Sequence, residues 1–213
     1  MHIPDGFIST PVAVAGIAVA AGSIAYAVKE TNKKMGERQV PMMGVLAAFI
    51  FAAQMLNFPV VGGTSGHLVG AALAAIVLGP WSAILIMSCV LMVQCFIFQD
   101  GGLFALGANI LNMGVIAVFV SYFSYRGIFA VMRGSRAGRL IGAGIGGWIS
   151  VVASALACAA ELAISGIVRW QIAVPAMGVV HIGIGIGEGL ITAAVITLVM
   201  STRPDLLELQ QPA

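Results

Sequence analysis

Two histidines stand out in a chain otherwise rich in Ala, Val, Ile, Leu and Gly: His2 in "MHIPDG" and His67 in "GGTSGH". A second-position histidine has a particular chelating reach. The amine of Met1, the backbone amide nitrogen of His2 and its ring nitrogen close a five- and a six-membered ring around one ion. The three nitrogens are coplanar, and His67 would supply a fourth. Such a set suits Ni(II) or Cu(II), with Co(II) also accommodated. It does not suit Mg(II) or Ca(II), which take oxygen ligands. A plainer reading stands beside this one. A histidine at position two is often only a polar residue near a chain end, and one at a helix start a capping residue.

Composition says where such a site would lie. Of 213 residues, 60% are hydrophobic and 8% charged, with a formal net charge of +2. Average soluble domains carry about 25% charged residues, so lipid must cover much of this surface. The three cysteines, Cys89, Cys95 and Cys158, all fall in apolar runs without CxxC spacing, and read as small buried side chains. No Lys or Arg precedes Lys29. A cleaved leader is therefore not expected, and Met1 is expected to be the first residue of the mature chain.

A membrane-spanning helix needs roughly 20 apolar residues. The runs 7–28, 40–58, 67–78, 81–98, 103–125, 140–165 and 173–201 predict an all-α membrane protein of about seven helices, one integral membrane domain over 1–213 with 1–6 as an amino-terminal segment. The third run, between the Gly-rich "PVVGGTSG" and Gly79-Pro80, is too short to span unaided, and short segments beside Gly-rich breaks point to sites. With alternate loops on opposite sides, Lys29, Lys33, Lys34, Arg38, Arg126, Arg133, Arg136, Arg139 and Arg203 share one side and Arg169 alone the other. The positive-inside rule then puts the amino terminus outside and the carboxyl terminus in the cytoplasm. His2, His67 and His181 all fall at the outer side, with Asp5 and Asp100.

"MHIPDGF", "GGTSGHLVGA", "FQDGGLFALGANILNM" and "HIGIGIGEGLIT" occur in this order over nearly the whole chain. Together they resemble the substrate-specific membrane component of energy-coupling-factor cobalt/nickel transporters, the CbiM/NikM family. The resemblance implies a six-helix core with one additional amino-terminal helix, in a prokaryotic cytoplasmic membrane. It implies capture of Co(II) or Ni(II) as transported substrate, held by Met1, His2 and His67. It also implies a coupling transmembrane protein and two ATP-binding cassette subunits. A small accessory membrane subunit is expected, because the chain stops soon after the last span. That end also tilts the expectation towards Co(II). No organic cofactor and no nucleic-acid partner is expected. No GxxxxGK[ST] pattern is present, so ATP hydrolysis is assigned to partners.

Other polar residues have two readings each. Asp100 is a candidate partner of a metal-bound imidazole, or a loop acid beside a Gly turn. Asp5, Ser65 and Asn109 belong to the same possible surroundings. Gln54, Gln94, Asn109 and Asn112 are expected to bond between helices. His181 and Glu188, seven residues apart, share one helix face and line a polar path or form a structural pair. Pro4 and Gly6 suit a turn that tucks the amino-terminal loop inward. Gly44, Ala48 and Ala52 recur every fourth residue, as do Gly138, Gly142 and Gly146. Such faces serve packing within the chain or docking of a partner, and the Gly44–Ala52 face is the favoured docking surface. Alternatives of another class are an intramembrane metalloenzyme around His67 and His181, without the HExxH pattern, and a stand-alone metal-ion permease.

Overall fold

The computed structural model describes residues 1–34, 36, 39–60 and 64–208. Arg38, counted above among the inner charges, and Val61–Gly63 of the Gly-rich break lie outside that range. Among the described residues, five apolar helical stretches are long enough to cross a membrane. They are α1 (Thr10–Lys34), α3 (Ala71–Phe98), a span made of α4 (Leu106–Ile110), a π-helical turn (Leu111–Ile116) and α5 (Ala117–Val131), then α6 (Arg136–Ile164) and α7 (Trp170–Thr202). The apolar run at 40–58 becomes a shorter helix, α2 (Gln39–Gln54), and a strand, β1 (Asn57–Val60). A terminal α8 spans Asp205–Glu208. The chain is thus an all-α membrane protein apart from one small hairpin.

That hairpin corrects one expectation. His67 does not start a helix; it ends β2 (Thr64–His67), antiparallel to β1 in the register Asn57↔His67 to Val60↔Thr64. Backbone pairing explains this. Exposed N–H and C=O groups are too costly beside lipid, and Gly66 packs where a side chain would meet Ile184 and Val180 of α7. Pro59 sits in a two-stranded sheet where every strand is an edge, the place a strand tolerates proline.

The third and fourth runs join in α3, which is interrupted at Gly79 (φ 81, ψ 166), ahead of Pro80. A straight helix over 25 residues would separate Val69 from Gln94 by about 37 Å. Yet Gln54 hydrogen-bonds both. The chain therefore reverses at Gly79–Pro80, and 71–78 and 80–98 run back to back. Glycine supplies the positive φ, and proline suits the first helical position after it.

Small residues set the helix spacings. A Cβ on Gly16 of α1 would lie 2.8 Å from the Ala108 backbone nitrogen, so α1 crosses α4 backbone to backbone. Gly142 and Gly146 of α6 approach the Tyr125 and Ser121 carbonyls of α5. Their stripe therefore serves packing within the chain. Gly44 of α2 meets nothing within 4 Å, and Ala48 and Ala52 are exposed with it. Overpacking costs about 1–3 kcal/mol, and each kcal/mol shifts the melting midpoint by about 2–4 °C at this size. Gly16→Leu is expected to lower the midpoint in detergent by several degrees. Gly183→Ala, facing open space, is expected to leave it unchanged or raise it slightly.

Candidate metal-binding site

The first three residues enter the bundle as an extended segment with every backbone polar group met. Ile3 N–H donates to Asn109 Oδ1 (2.9 Å), and Asn109 Nδ2 donates back to the Ile3 carbonyl (3.2 Å). Gly102 N–H also donates to that carbonyl (2.9 Å). Thr64 Oγ1 donates to the His2 carbonyl (3.0 Å) and Cys158 Sγ to the Met1 carbonyl (3.6 Å). Beyond, Phe7 N–H closes a turn onto the Pro4 carbonyl (3.3 Å), with Gly6 at φ 86, the position where a type II turn asks for glycine. Asp5 then accepts from the Leu103 (3.0 Å) and Phe104 (2.8 Å) amides.

At the inner end, two nitrogens converge. The Met1 amine (3.0 Å) and the His2 amide (3.3 Å) both donate to Ser65 Oγ, and the amine donates to the Ser65 carbonyl as well. The His2 and His67 rings stack, centroids 4.6 Å apart and 25° from parallel. Met1 and His67 are fully buried, and His2 is 4% exposed. His67 Nδ1 donates to the Leu68 carbonyl (2.6 Å). Its Nε2 is therefore the lone-pair nitrogen, and it has no protein partner. His2 Nδ1 lies 3.4 Å from Asp100 Oδ1, without a formed hydrogen bond. Asp100 Oδ2 accepts from Asn57 Nδ2 (3.2 Å).

Burial keeps these groups neutral. It pushes the Met1 amine from its ordinary 8.0 down to about 5, and the His2 ring from 6.5 down to about 4. His67 is pushed well below 6.5 by the same loss of water. A metal ligand must offer a lone pair, and all three have theirs at neutral pH. Among the described residues, no three His, Cys, Asp or Glu side chains are grouped to hold a metal. A four-nitrogen set here needs the backbone amine and amide.

The other sequence candidates fall out as follows. Asp100 and Ser65 touch the site directly; Asn109 holds Ile3 rather than a ring. Asp5 is exposed and pins the segment from outside. Glu188 does not pair with His181. Its carboxylate accepts from the Val69 (2.9 Å) and Gly70 (2.7 Å) amides, the donors left open where 71–78 begins. His181 donates from Nδ1 to the Met177 carbonyl (2.7 Å), and its buried Nε2 has no partner. Gly44, Ala48 and Ala52 lie on α2 away from these residues. Thr64 lies within the "GGTSGH" stretch and Cys158 is buried as its apolar run implies, but nothing in either pattern marks their contacts with the first two residues. The sequence reading took Gln54 and Gln94 for helix–helix contacts; Gln54 does bond Gln94 between helices (3.0 Å), and Gln94 also bonds the His2 ring (3.0 Å).

The family described as the cobalt uptake substrate-specific transmembrane region matches residues 2–206. The chain belongs to the CbiM family. It is 40% identical over 98% of its length to a putative fused nickel transport protein of Archaeoglobus fulgidus, of which it covers 68%. It is 32% identical over 97% of its length to a cobalt transport protein of Geobacter sulfurreducens, covering 61% of that protein. A crystal structure of a truncated transition metal transporter superposes with a TM-score of 0.89 at 34% identity, over 94% of this chain and 99% of that one. The chain is accordingly a multi-pass membrane component of a cobalt/nickel transport family.

The docked segment holds fewer protons than a free one, because the amine's pKa is lowered in place. The proton-linked contribution to its docking is full above pH 8 and falls progressively as pH drops towards 5. Hydrogen–deuterium exchange of peptide 1–8, corrected for the intrinsic pH dependence, should show protection at pH 8 and steady loss below 7. Asn109→Ala, which leaves the Ile3 amide and carbonyl without that partner, should expose the same peptide at pH 8.

Proposed function

We propose that the chain captures Co(II) or Ni(II) from outside the cell through four nitrogens: the Met1 amine, the His2 amide, His2 Nδ1 and His67 Nε2. The observation that carries this is the convergence of the first two nitrogens on one Ser65 oxygen, beside two buried neutral imidazoles. Binding would expel the amide proton to solvent; before that, the amide N–H points at the Ser65 hydroxyl, which accepts its hydrogen bond. Asp100 lies within reach of the bound ring and would offset the cation's charge. Of the two ions we favour Co(II), in keeping with the family's description as a cobalt uptake region.

The site end is read as the outer face, because nine of the ten Lys and Arg lie on the other side. The membrane is then the cytoplasmic membrane of a prokaryote. The chain works as the capture subunit of an energy-coupling-factor uptake system. Its partners are a coupling membrane protein, two ATP-binding cassette subunits that hydrolyse ATP, and a small accessory membrane subunit. ATP-driven reorientation of the bundle against the coupling protein turns the site inward. The exposed Gly44–Ala48–Ala52 face of α2 is the docking surface in this reading.

Changing groups that only surround a metal costs 10–100-fold in affinity, so losing a ligand should cost at least about 100-fold. Two residues added before Met1 remove the amine from its place, and Co(II) and Ni(II) titrations of that protein should show this loss. His67→Ala should match it. Binding that survives the extension refutes the amine-based site. Metal content after growth in matched Co(II) and Ni(II) decides between the ions. Ala48→Leu with Ala52→Leu should abolish co-purification with the coupling protein; undiminished assembly removes that face.

A further inference from the structure

We propose that Gln94 and Gln54 set the tautomer of His2, relaying a constraint from the Val69 carbonyl so that Nδ1 is left unprotonated for chelation. This rests on the capture reading above, in which Nδ1 is the ligating ring nitrogen. Only Nδ1 closes a six-membered ring with the amide nitrogen of its own residue.

The relay has three links. Gln54 Nε2 lies 2.6 Å from the Val69 carbonyl, Gln94 Nε2 lies 3.0 Å from Gln54 Oε1, and His2 Nε2 lies 3.0 Å from Gln94 Oε1. A carbonyl only accepts. The Gln54 group facing Val69 must therefore be its NH2, and the group facing Gln94 its oxygen. Gln94 must meet that oxygen with its own NH2 and turn its oxygen to the ring. His2 Nε2 must then be the donor. Orientation of each amide follows from this bonding pattern, and each link forces the next.

Nothing nearby offers an escape. Gln54 and Gln94 are fully buried, so water does not rescue a flipped amide. The Val69 peptide is itself held, since Glu188 of α7 accepts its N–H and that of Gly70. The constraint thus runs from α7 through the start of 71–78, then α2 and 80–98, to the first residues of the chain.

The relay has work to do, because Asp100 pulls the other way. Its carboxylate, 3.4 Å from Nδ1, favours a proton on that nitrogen. The other two histidines need no relay. His67 and His181 each donate Nδ1–H directly to a backbone carbonyl and keep Nε2 free. His2 needs the opposite nitrogen free, so its proton-holding partner must face Nε2. A neutral amide oxygen fixes the proton there without adding charge to a buried site.

The test uses the metal-free, full-length protein in detergent, labelled with 15N-histidine, read by long-range 15N–1H correlation. The chain has three histidines, and single His67→Gln and His181→Gln variants assign the rings. Wild type is expected to carry the His2 proton on Nε2. Gln54→Leu frees Gln94 to turn, and Gln94→Met removes the acceptor; both should move proton population to Nδ1. Both should weaken Co(II) and Ni(II) binding by about 10-fold or more. Gln94→Glu keeps an acceptor facing the ring and should retain the Nε2 proton. A wild-type ring protonated on Nδ1 overturns the proposal. So does an unchanged tautomer in Gln54→Leu, the variant farther from the ring, whether or not Gln94→Met folds. The spectra need no metal. Retained binding in the amino-terminally extended protein would sink the capture reading and leave the tautomer result standing on its own.

Discussion

A free amino terminus is ordinarily charged at neutral pH and sits in water. Here it is fully buried, and the surrounding structure is organised to make that tolerable. Burying an unpaired amine is costly. Ser65 meets it with both its carbonyl and its hydroxyl. The carbonyls of residues 1 to 3 find donors on β2, α6, Asn109 and the 101–102 turn. Remove the buried terminus and the hairpin, the 101–104 loop and α4 lose the element that joins them.

The hairpin is the other half of that constraint. Non-helical backbone survives at membrane depth only when protein encloses it. β1 and β2 pair with each other, Glu188 takes the next two amides, and Gln54 takes the Val69 carbonyl. The groups that satisfy the backbone here also reach the rings: Gln54 bonds Gln94, which bonds His2, and the Leu68 carbonyl accepts from His67. Backbone satisfaction and the placement of the two rings are two results of the same bonds.

Much of this was legible in the sequence. The scarcity of charge announced lipid, and the Lys/Arg distribution grouped His2, His67 and His181 at one end. Chelate geometry linked Met1 and His2 before any contact was known. The rest depended on long-range placement. The strand at His67 was hidden because four residues leave no periodic signal among Gly, Thr and Ser. Glu188 read as half of a polar path, since its real partners are backbone amides more than a hundred residues away. Gln94 looked like a helix–helix contact because the ring it touches arrives from the opposite end of the chain. Thr64 sits inside the quoted "GGTSGH" and Cys158 in an apolar run; only the docked segment reveals what either bonds.

The crossing of α1 over α4 at Gly16 has a mechanical side. α1 is a continuous helix whose near end leads directly into the buried amino-terminal segment. At 1.5 Å per residue, Gly16 stands about 9 Å from Thr10 and about 27 Å from Lys34. With the close backbone approach as fulcrum, the helix is a lever with arms near one to three. A sideways push of a few ångströms at the far membrane face arrives at the start of the helix as about one, reversed in direction. An ångström is also the scale of the hydrogen bonds that seat residues 1 to 3, so the two ends of α1 are joined through one crossing point.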